Sequence, residues 1–375
     1  MALKFEILHT SKMSQARVGR IHTAHGIIDT PNFVAVGTNG TLKAIDNATV
    51  DAIGLQLMFC NTYHLMVQPG TDVVKKAGGL HNFIHRKQPL ITDSGGFQVF
   101  SLAYGSVYNE LKSCGKKEHE GSVIKITEEG VLFRSYRCGK KIYLTPESSV
   151  QAQKDLGADI IIPFDELPPY HIQREELKNS VARTHRWEMR SLATHLADPQ
   201  HQSMYAVIHG GIDPELRKFS CDTLTREAFD GFAIGGSVGK NQKELIQVIA
   251  DTRPHLPDDK PNHLLGIGDL PSLEALVPYG IDTFDSSYPT KAARHGLLFS
   301  KHGDIKIAQT KYRTAFSPIE EGCSCPTCQK NTLAYLHHLF KAKEVTAHLL
   351  ASIHNLHVMV DWMAETRKKI LRDEI

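Results

Sequence analysis

A chain of 375 residues, 41% apolar and 22% charged, has an ordinary globular make-up, and its length suits two average domains or one large α/β barrel with an appendage. A net charge of +2 with neutral histidines excludes a globally basic nucleic-acid binder and leaves room for a local basic patch. No stretch approaches the ~18 apolar residues of a membrane span, and the opening MALKFEILHTSK has no apolar signal region, so neither membrane insertion nor secretion is expected. Four of the seven cysteines (Cys60, Cys114, Cys138, Cys221) are scattered singly, which fits reduced thiols in a cytoplasmic protein.

Short apolar runs recur in order: FVAVG (33–37), LMFCNTY (57–63), PLITDSGG (89–96), DIIIPFDE (159–166), MYAVIHGG (204–211), GFAIGGS (231–237), HLLGIGD (263–269) and IDTFDSS (281–287). Continuous apolar runs without alternation read as strands buried on both faces, as in a parallel sheet. Segments of helical character lie between several of them, such as 175–197 and 241–256. Eight such alternations predict an α/β fold of the (β/α)8 TIM-barrel type rather than a doubly wound open sheet. The stretch 104–142 breaks the pattern and reads as a β-hairpin insertion with Glu-Glu-Gly at its turn. The expected division is a barrel over 1–315 and a helical subdomain over 316–375.

Most of the runs end in polar or glycine residues: Asp93, Asp165, His209, Gly235-Gly236, Gly266/Gly268 and Asp285. Barrel enzymes carry their chemistry at the C-terminal ends of the strands, so these groups are expected to converge on one mouth. A charge inside an apolar run is costly without a purpose. A pair such as Asp93 and Asp285 suits retaining glycosyl chemistry, in which one carboxylate attacks a sugar carbon and the other manages a proton. The plainer alternative is one ion pair and one helix cap.

Near the C-terminal end, GCSCPTCQK (322–330) places Cys323, Cys325 and Cys328 within six positions. That spacing is too tight for a disulfide framework among all three, and a thioredoxin-like βαβ context is absent. Three thiolates and one imidazole make a closed tetrahedral zinc site, structural rather than catalytic. His337, His338, His348, His354 and His357 are candidates for the fourth ligand, and proximity favours the 337–338 pair.

The motifs TDSGGFQVFS (92–101), FDELPPY (164–170), IHGG (208–211), IGGSVGK (234–240), LLGIGD (264–269), TFDSSYPTKAARHG (283–296) and the CSCPTC…H element resemble the tRNA-guanine transglycosylases, or queuine tRNA-ribosyltransferases, in order from about Val18 to the C-terminus. The resemblance implies a (β/α)8 barrel with a zinc-bearing subdomain. It also implies exchange of the anticodon wobble guanine of G-U-N tRNAs (Asp, Asn, His, Tyr type) for a 7-deazaguanine base, with no ATP or redox cofactor. By the same likeness Asp285 is the nucleophile on ribose C1′, Asp93 the general acid/base and Asp165 the acceptor for the N1–H and amino edge of the base. The base pocket is implied to comprise Asp93, Ser94, Gly95, Gly96, Phe97, Asp165, His209, Gly235, Gly236, Ser237, Gly239 and Leu265. Phe97 covers one face of the base and Leu265 the other. Gly266, Ile267, Gly268, Asp269, Leu270, Pro271 and Ser272, with Thr290, Lys291, Ala292, Ala293 and Arg294, are implied to contact the U-G-U element of the anticodon. Family spacing picks His354 to complete a structural zinc with Cys323, Cys325 and Cys328, one per subunit, and implies a homodimer through that lobe.

Several positions depart from the usual bacterial pattern. His209 stands for a glutamine, Leu167 for a cysteine, Ser237 for a leucine, Gly239 for a valine, Asn241 for a glutamate and Lys291 for an arginine. Eukaryotic members, which take the larger base queuine, also carry glycine at the position of Gly239, whereas bacterial members take 7-aminomethyl-7-deazaguanine. Two expectations follow: a pocket widened for a larger 7-deazaguanine such as queuine, or the aminomethyl base with compensated packing. A non-catalytic accessory subunit is disfavoured because both aspartates are present. A zinc hydrolase is disfavoured because no HxH lies on an early strand, and a plain glycosidase does not explain Asp165 or the basic loop.

Overall fold

The computed structural model describes residues 3–98, 110–112, 123–135 and 137–375. Strands β1 (Lys4–Thr10), β2 (Arg17–Thr23) and β3 (Gly26–Thr30) form an antiparallel sheet ahead of the barrel. The barrel comprises β4 (Asn32–Val36), β5 (Met58–Cys60) and β6 (Leu90–Thr92), then, after the insertion, β10 (Ile160–Ile161), β11 (Ser203–Ile208), β12 (Gly231–Ile234), β13 (Asn262–Leu264) and β14 (Thr283–Ser286). All eight are parallel, and pairing of β14 with β4, Asp285 opposite Val34, closes the ring. Each of the eight apolar runs overlaps one of these strands.

The alternation that the runs lacked as polarity is present as packing. Val34, Ile91, Ile160, Val207 and Ala233 share a cluster in the lumen with Ile21 and Ile28 of the N-terminal sheet. Neighbours such as Phe33, Met58, Ile161, Ala206, Ile234 and Phe284 pack outward against the helices. The N-terminal sheet thus plugs the barrel floor. Two buried polar ties hold it there. Arg17 makes a bidentate pair with Asp282, at 2.9 and 2.6 Å. The Asp159 carboxylate accepts from His25 Nδ1 at 2.8 Å and from the backbone N–H of Leu90 at 3.0 Å.

The insertion differs from the expected hairpin. β7 (Val123–Ile126) and β8 (Val131–Arg134) do turn at Glu128-Glu129-Gly130, but β9 (Lys141–Leu144) adds a third antiparallel strand. Residues 104–109, 113–122 and 136 of that stretch lie outside the described residues. After the barrel come a two-stranded ribbon, β15 (Leu297–Leu298) and β16 (Ile305–Lys306), and helices Pro326–Lys330, Leu333–Ala342 and Val345–Leu371. The last helix runs back along the barrel: Asn355 Nδ2 donates to the carbonyls of Pro289 and Leu297, and Arg367 donates to that of Pro31. No helix among the described residues is long and apolar enough to cross a membrane.

Candidate active site

The C-terminal ends of the strands surround a cavity of about 530 Å³, a volume suited to a small-molecule ligand. Asp93, Asp165 and Asp285 all line it, with Phe97, Leu265 and Gly236 among its walls.

Asp93 follows β6 and is buried under three donors. Its Oδ1 accepts from the Thr62 backbone N–H at 2.7 Å, and its Oδ2 from Asn61 Nδ2 at 2.6 Å and Gln98 Nε2 at 3.2 Å. Burial pushes its carboxyl up to about 6 against those bonds, and the nearby Asp165 charge adds to the rise. A carboxyl tuned near neutrality can both give and take a proton.

Asp285, the penultimate residue of β14, has its two oxygens in different surroundings. Oδ1 accepts from His263 Nε2 at 3.0 Å and from the Gly266 N–H at 2.9 Å. Oδ2 makes no hydrogen bond among the described residues and faces the cavity.

Asp165 follows β10. Ser94 Oγ donates to Oδ1 at 2.9 Å and His209 Nε2 lies 3.0 Å from Oδ2. A Cβ on Gly96 would lie 2.3 Å from the Asp165 carbonyl oxygen, so only glycine lets the chain after Asp93 pass this close. His209, counted in the base pocket by the family likeness, is 1% exposed, absent from the cavity wall, and spends Nε2 on Asp165. Gly236 stands at φ +75° against the other ring nitrogen, where a Cβ would come within 2.9 Å of His209 Nδ1. Gly95, Gly96 and Gly235 likewise shape the wall from behind rather than lining it.

Gly239 lines the cavity, yet its glycine has a second cause. At φ +104° a Cβ would lie 2.6 Å from Glu244 Cβ, so helix packing requires it as well. Asn241 caps helix Gln242–Thr252 by accepting from the Glu244 N–H at 2.9 Å. Glu244 in turn accepts from the Lys240 N–H at 3.0 Å and from the Tyr170 hydroxyl at 3.1 Å. Beside this rim lies a second cavity of about 590 Å³. It shares Pro168, Tyr170 and Ser237 with the first, so the room beyond the pocket opens past Ser237 rather than at Gly239.

The expected RNA-facing residues divide by exposure. Gly266, Pro271 and Lys291 are exposed, and Ile267, Asp269, Leu270 and Arg294 are half-buried. Gly268, Ser272, Thr290, Ala292 and Ala293 are buried, so any contact from these positions would run through the backbone. Asp269 caps helix Leu270–Leu276 through the Ser272 N–H. Asn61, Thr62, Gln98, Ser94's bond to Asp165 and His263 were not anticipated as partners of the three aspartates. The Asn61-Thr62 pair near the end of the second apolar run was the one available signal.

Among the described residues, two clusters bring potential metal ligands within 4.8 Å of one another. In the first, His354 Nδ1 lies 3.5 Å from Cys325 Sγ, 3.4 Å from Cys328 Sγ and 4.0 Å from Cys323 Sγ. His354 Nε2 lies 2.8 Å from the Phe299 carbonyl, which can only accept, so the proton sits on Nε2 and the Nδ1 lone pair faces the sulfurs. Three thiols and this imidazole form a metal-binding donor set. His337 of the favoured pair instead contacts the Ile307 carbonyl through Nδ1. The second cluster is His25, His81 and Asp159 at the barrel floor. Its imidazoles stack at 3.5 Å with 12° between planes, so an ion in the plane of one ring lies out of the plane of the other. That arrangement is a hydrogen-bonded clasp.

The family model described as queuine tRNA-ribosyltransferase matches residues 12–375. Similar proteins of that name include one from Protochlamydia amoebophila, 68% identical over 99% of this chain and 96% of its own. Another, from Chlamydia abortus, is 60% identical over the whole of both chains, and one from Chlamydia trachomatis serovar L2 is 56% identical over the same span. With a match of this extent and identity, the chain belongs to the queuine tRNA-ribosyltransferase family, whose members are pentosyltransferases.

Proposed function

We propose that the chain exchanges the wobble guanine of G-U-N tRNAs for a 7-deazaguanine base by double displacement. The observation that carries this reading is the asymmetry of Asp285, with one oxygen held by two N–H donors and the other free toward a cavity shared with Asp93 and Asp165. In the first step Asp285 Oδ2 bonds to ribose C1′ as the C1′–N9 bond breaks. The electron pair leaves with guanine, which takes a proton from Asp93. In the second, N9 of the incoming base attacks C1′, its proton passes to Asp93, and the C1′–Oδ2 pair returns to the carboxylate. Two inversions leave the configuration at C1′ unchanged. The target base leaves the loop stack to enter the pocket, as base-modifying enzymes require.

Asp165 takes the paired donors of the base edge. Phe97, 43% exposed at the cavity wall, stacks on the base face, a contact typically worth ~1–3 kcal/mol. Lys291 and the exposed backbone at Gly266 serve the RNA. The Cys323, Cys325, Cys328 and His354 set suits zinc; when bound, the ion crosslinks the C-terminal helices and has no open position for substrate. The family likeness supports a homodimer and a cytoplasmic location as part of this reading.

The second cavity beyond Ser237 supports a base with a substituent larger than aminomethyl, of the queuine type. Exchange of radiolabelled guanine into G-U-N tRNA tests the reaction, and Asp285→Asn should abolish it. Exchange that survives this substitution overturns the reading. Competition between queuine and 7-aminomethyl-7-deazaguanine tests the base: clear preference for the aminomethyl compound sinks the queuine assignment alone.

A further inference from the structure

His263 precedes Leu264 on β13, and Leu264 packs outward, so His263 points into the barrel lumen. Other lumen positions carry Val34, Ile91, Val207 and Ala233. An imidazole there, 0% exposed, is tolerable only if both nitrogens are hydrogen-bonded. Both are. Nδ1 lies 2.8 Å from Thr283 Oγ1 and Nε2 3.0 Å from Asp285 Oδ1. A carboxylate oxygen only accepts, so the proton belongs on Nε2, and the Thr283 hydroxyl donates to Nδ1. Its alternative acceptor, the Asn262 carbonyl, is farther at 3.3 Å.

We propose that His263 is a positioning residue that acts through Asp285, holding Oδ1 so that Oδ2 attacks and easing departure of the carboxylate in the second step. This inference rests on the reading of Asp285 as nucleophile. In the covalent adduct Oδ1 is the ester carbonyl oxygen. As the C1′–Oδ2 bond breaks, negative charge returns to the carboxylate and meets two prepared donors, His263 Nε2–H and the Gly266 N–H. In the first step the same donors bind a carboxylate that is already fully charged, so they orient it and gain nothing as its charge is spent. Their loss therefore slows adduct breakdown more than adduct formation.

His263→Phe keeps a ring in the lumen, near Phe59 at 6.1 Å between centroids, and removes the donor. His263→Gln puts an amide N–H back near the place of Nε2. The measurement follows the tRNA–enzyme adduct on denaturing gels through single-turnover formation and chase with guanine. For His263→Phe, breakdown is expected to slow about a hundredfold, the size of losing one preorganised donor. Formation should slow less, KM for tRNA should hold, and His263→Gln should recover most of the rate. Equal slowing of both half-reactions, or wild-type breakdown in the Phe variant, overturns the proposal. If the Phe variant does not fold, Thr283→Val leaves the ring in place but frees Nδ1 from its partner. Slower breakdown in that variant supports the proposal, and unchanged breakdown overturns it. Absence of any adduct in the wild type would instead remove Asp285 as nucleophile, which separates the two failures.

Discussion

His209 reaches Asp165 from behind the pocket: its Nε2 sits 3.0 Å from Oδ2, while Ser94 Oγ holds Oδ1 at 2.9 Å from the other side. The side chain that the motif comparison placed on the base therefore acts on the carboxylate that binds the base. Both oxygens of Asp165 are already oriented before a ligand arrives. Hydrogen bonds to a charged group are worth about 1.5–3 kcal/mol each. His209→Ala is expected to raise KM for guanine about tenfold or more, with a smaller change in KM for tRNA. His209→Gln, which keeps a donor, should stay within a few-fold of wild type. Steady-state kinetics with each substrate varied in turn decides this, and an unchanged guanine KM in the Ala variant would falsify the orienting role.

Asp93, pushed up to about 6 by burial, sets a pH dependence with opposite signs in the two half-reactions. Above that value the carboxylate is ionised and ready to take the proton of the incoming base. Below it the carboxyl is protonated and ready to help guanine leave. Chase of a preformed adduct should therefore slow as pH falls through about 6, whereas single-turnover guanine release should slow as pH rises through it. Two profiles that move the same way would rule out one shared acid/base.

Lys291 is exposed at the mouth beside the half-buried Arg294. As a point charge for a phosphate, its replacement by alanine is expected to weaken tRNA binding a few-fold and to lower the slope of log K against log salt by about 1. KM for free guanine should not move. A salt titration of tRNA binding checks this, and an unaltered slope would show that Lys291 meets no phosphate.

Asp159 is nearly enclosed at the barrel floor. Burial alone would raise its carboxyl, but the His81 imidazole 3.2 Å away and hydrogen bonds from the Leu90 N–H and His25 outweigh that and hold it at about 2. A group whose folded value is depressed adds stability above its unfolded value, near 3.9, and that stability is lost as pH falls through the folded one. Acid unfolding should steepen between about pH 4 and pH 2 in the wild type and much less in Asp159→Asn. At pH 7 the same variant is expected to be about 1–3 kcal/mol less stable in urea. Equal acid profiles would show that the clasp carries no linkage.

The Cys323, Cys325, Cys328 and His354 set should hold one zinc per chain by elemental analysis of purified protein. Cys328→Ala is expected to lose the metal and lower the melting temperature by several degrees, because the ligands join helix Pro326–Lys330 and the loop before it to helix Val345–Leu371. The chemical step, measured well below the melting point, should change far less than stability. Metal-free protein that melts like wild type would contradict a structural role.

The barrel was legible because all eight apolar runs are strands buried on both faces, which leaves a continuous signal in one dimension. The insertion was undersized because Lys-Ile-Tyr-Leu at 141–144 alternates polarity over too few residues to stand out from a loop. Proximity along the chain favoured the wrong histidines, whereas the family likeness named His354: helix Leu333–Ala342 turns His337 toward the Ile307 carbonyl, and the following helix returns His354 to the sulfurs. Five of the twelve residues expected at the RNA are buried: four lie on inward faces of the helices after β13 and β14, and Gly268, in the loop ahead of the first, packs against Ser286 and Phe33.

Composition and residue order alone determined the inventory: a parallel barrel, three carboxylates at strand ends, three thiols in a short loop. Only tertiary structure decided how those groups are used, namely which oxygen of Asp285 is free, that Asn61 and Thr62 hold Asp93, and which nitrogen of His354 faces the cysteines. The reason is geometric. His263 and Asp285 are 22 residues apart, and Asn61 and Asp93 32. They meet because neighbouring parallel strands stand in one register with side chains alternating between lumen and helix layer. Burial then decides which of those groups must share a proton or a hydrogen bond, and burial is a property of the closed barrel.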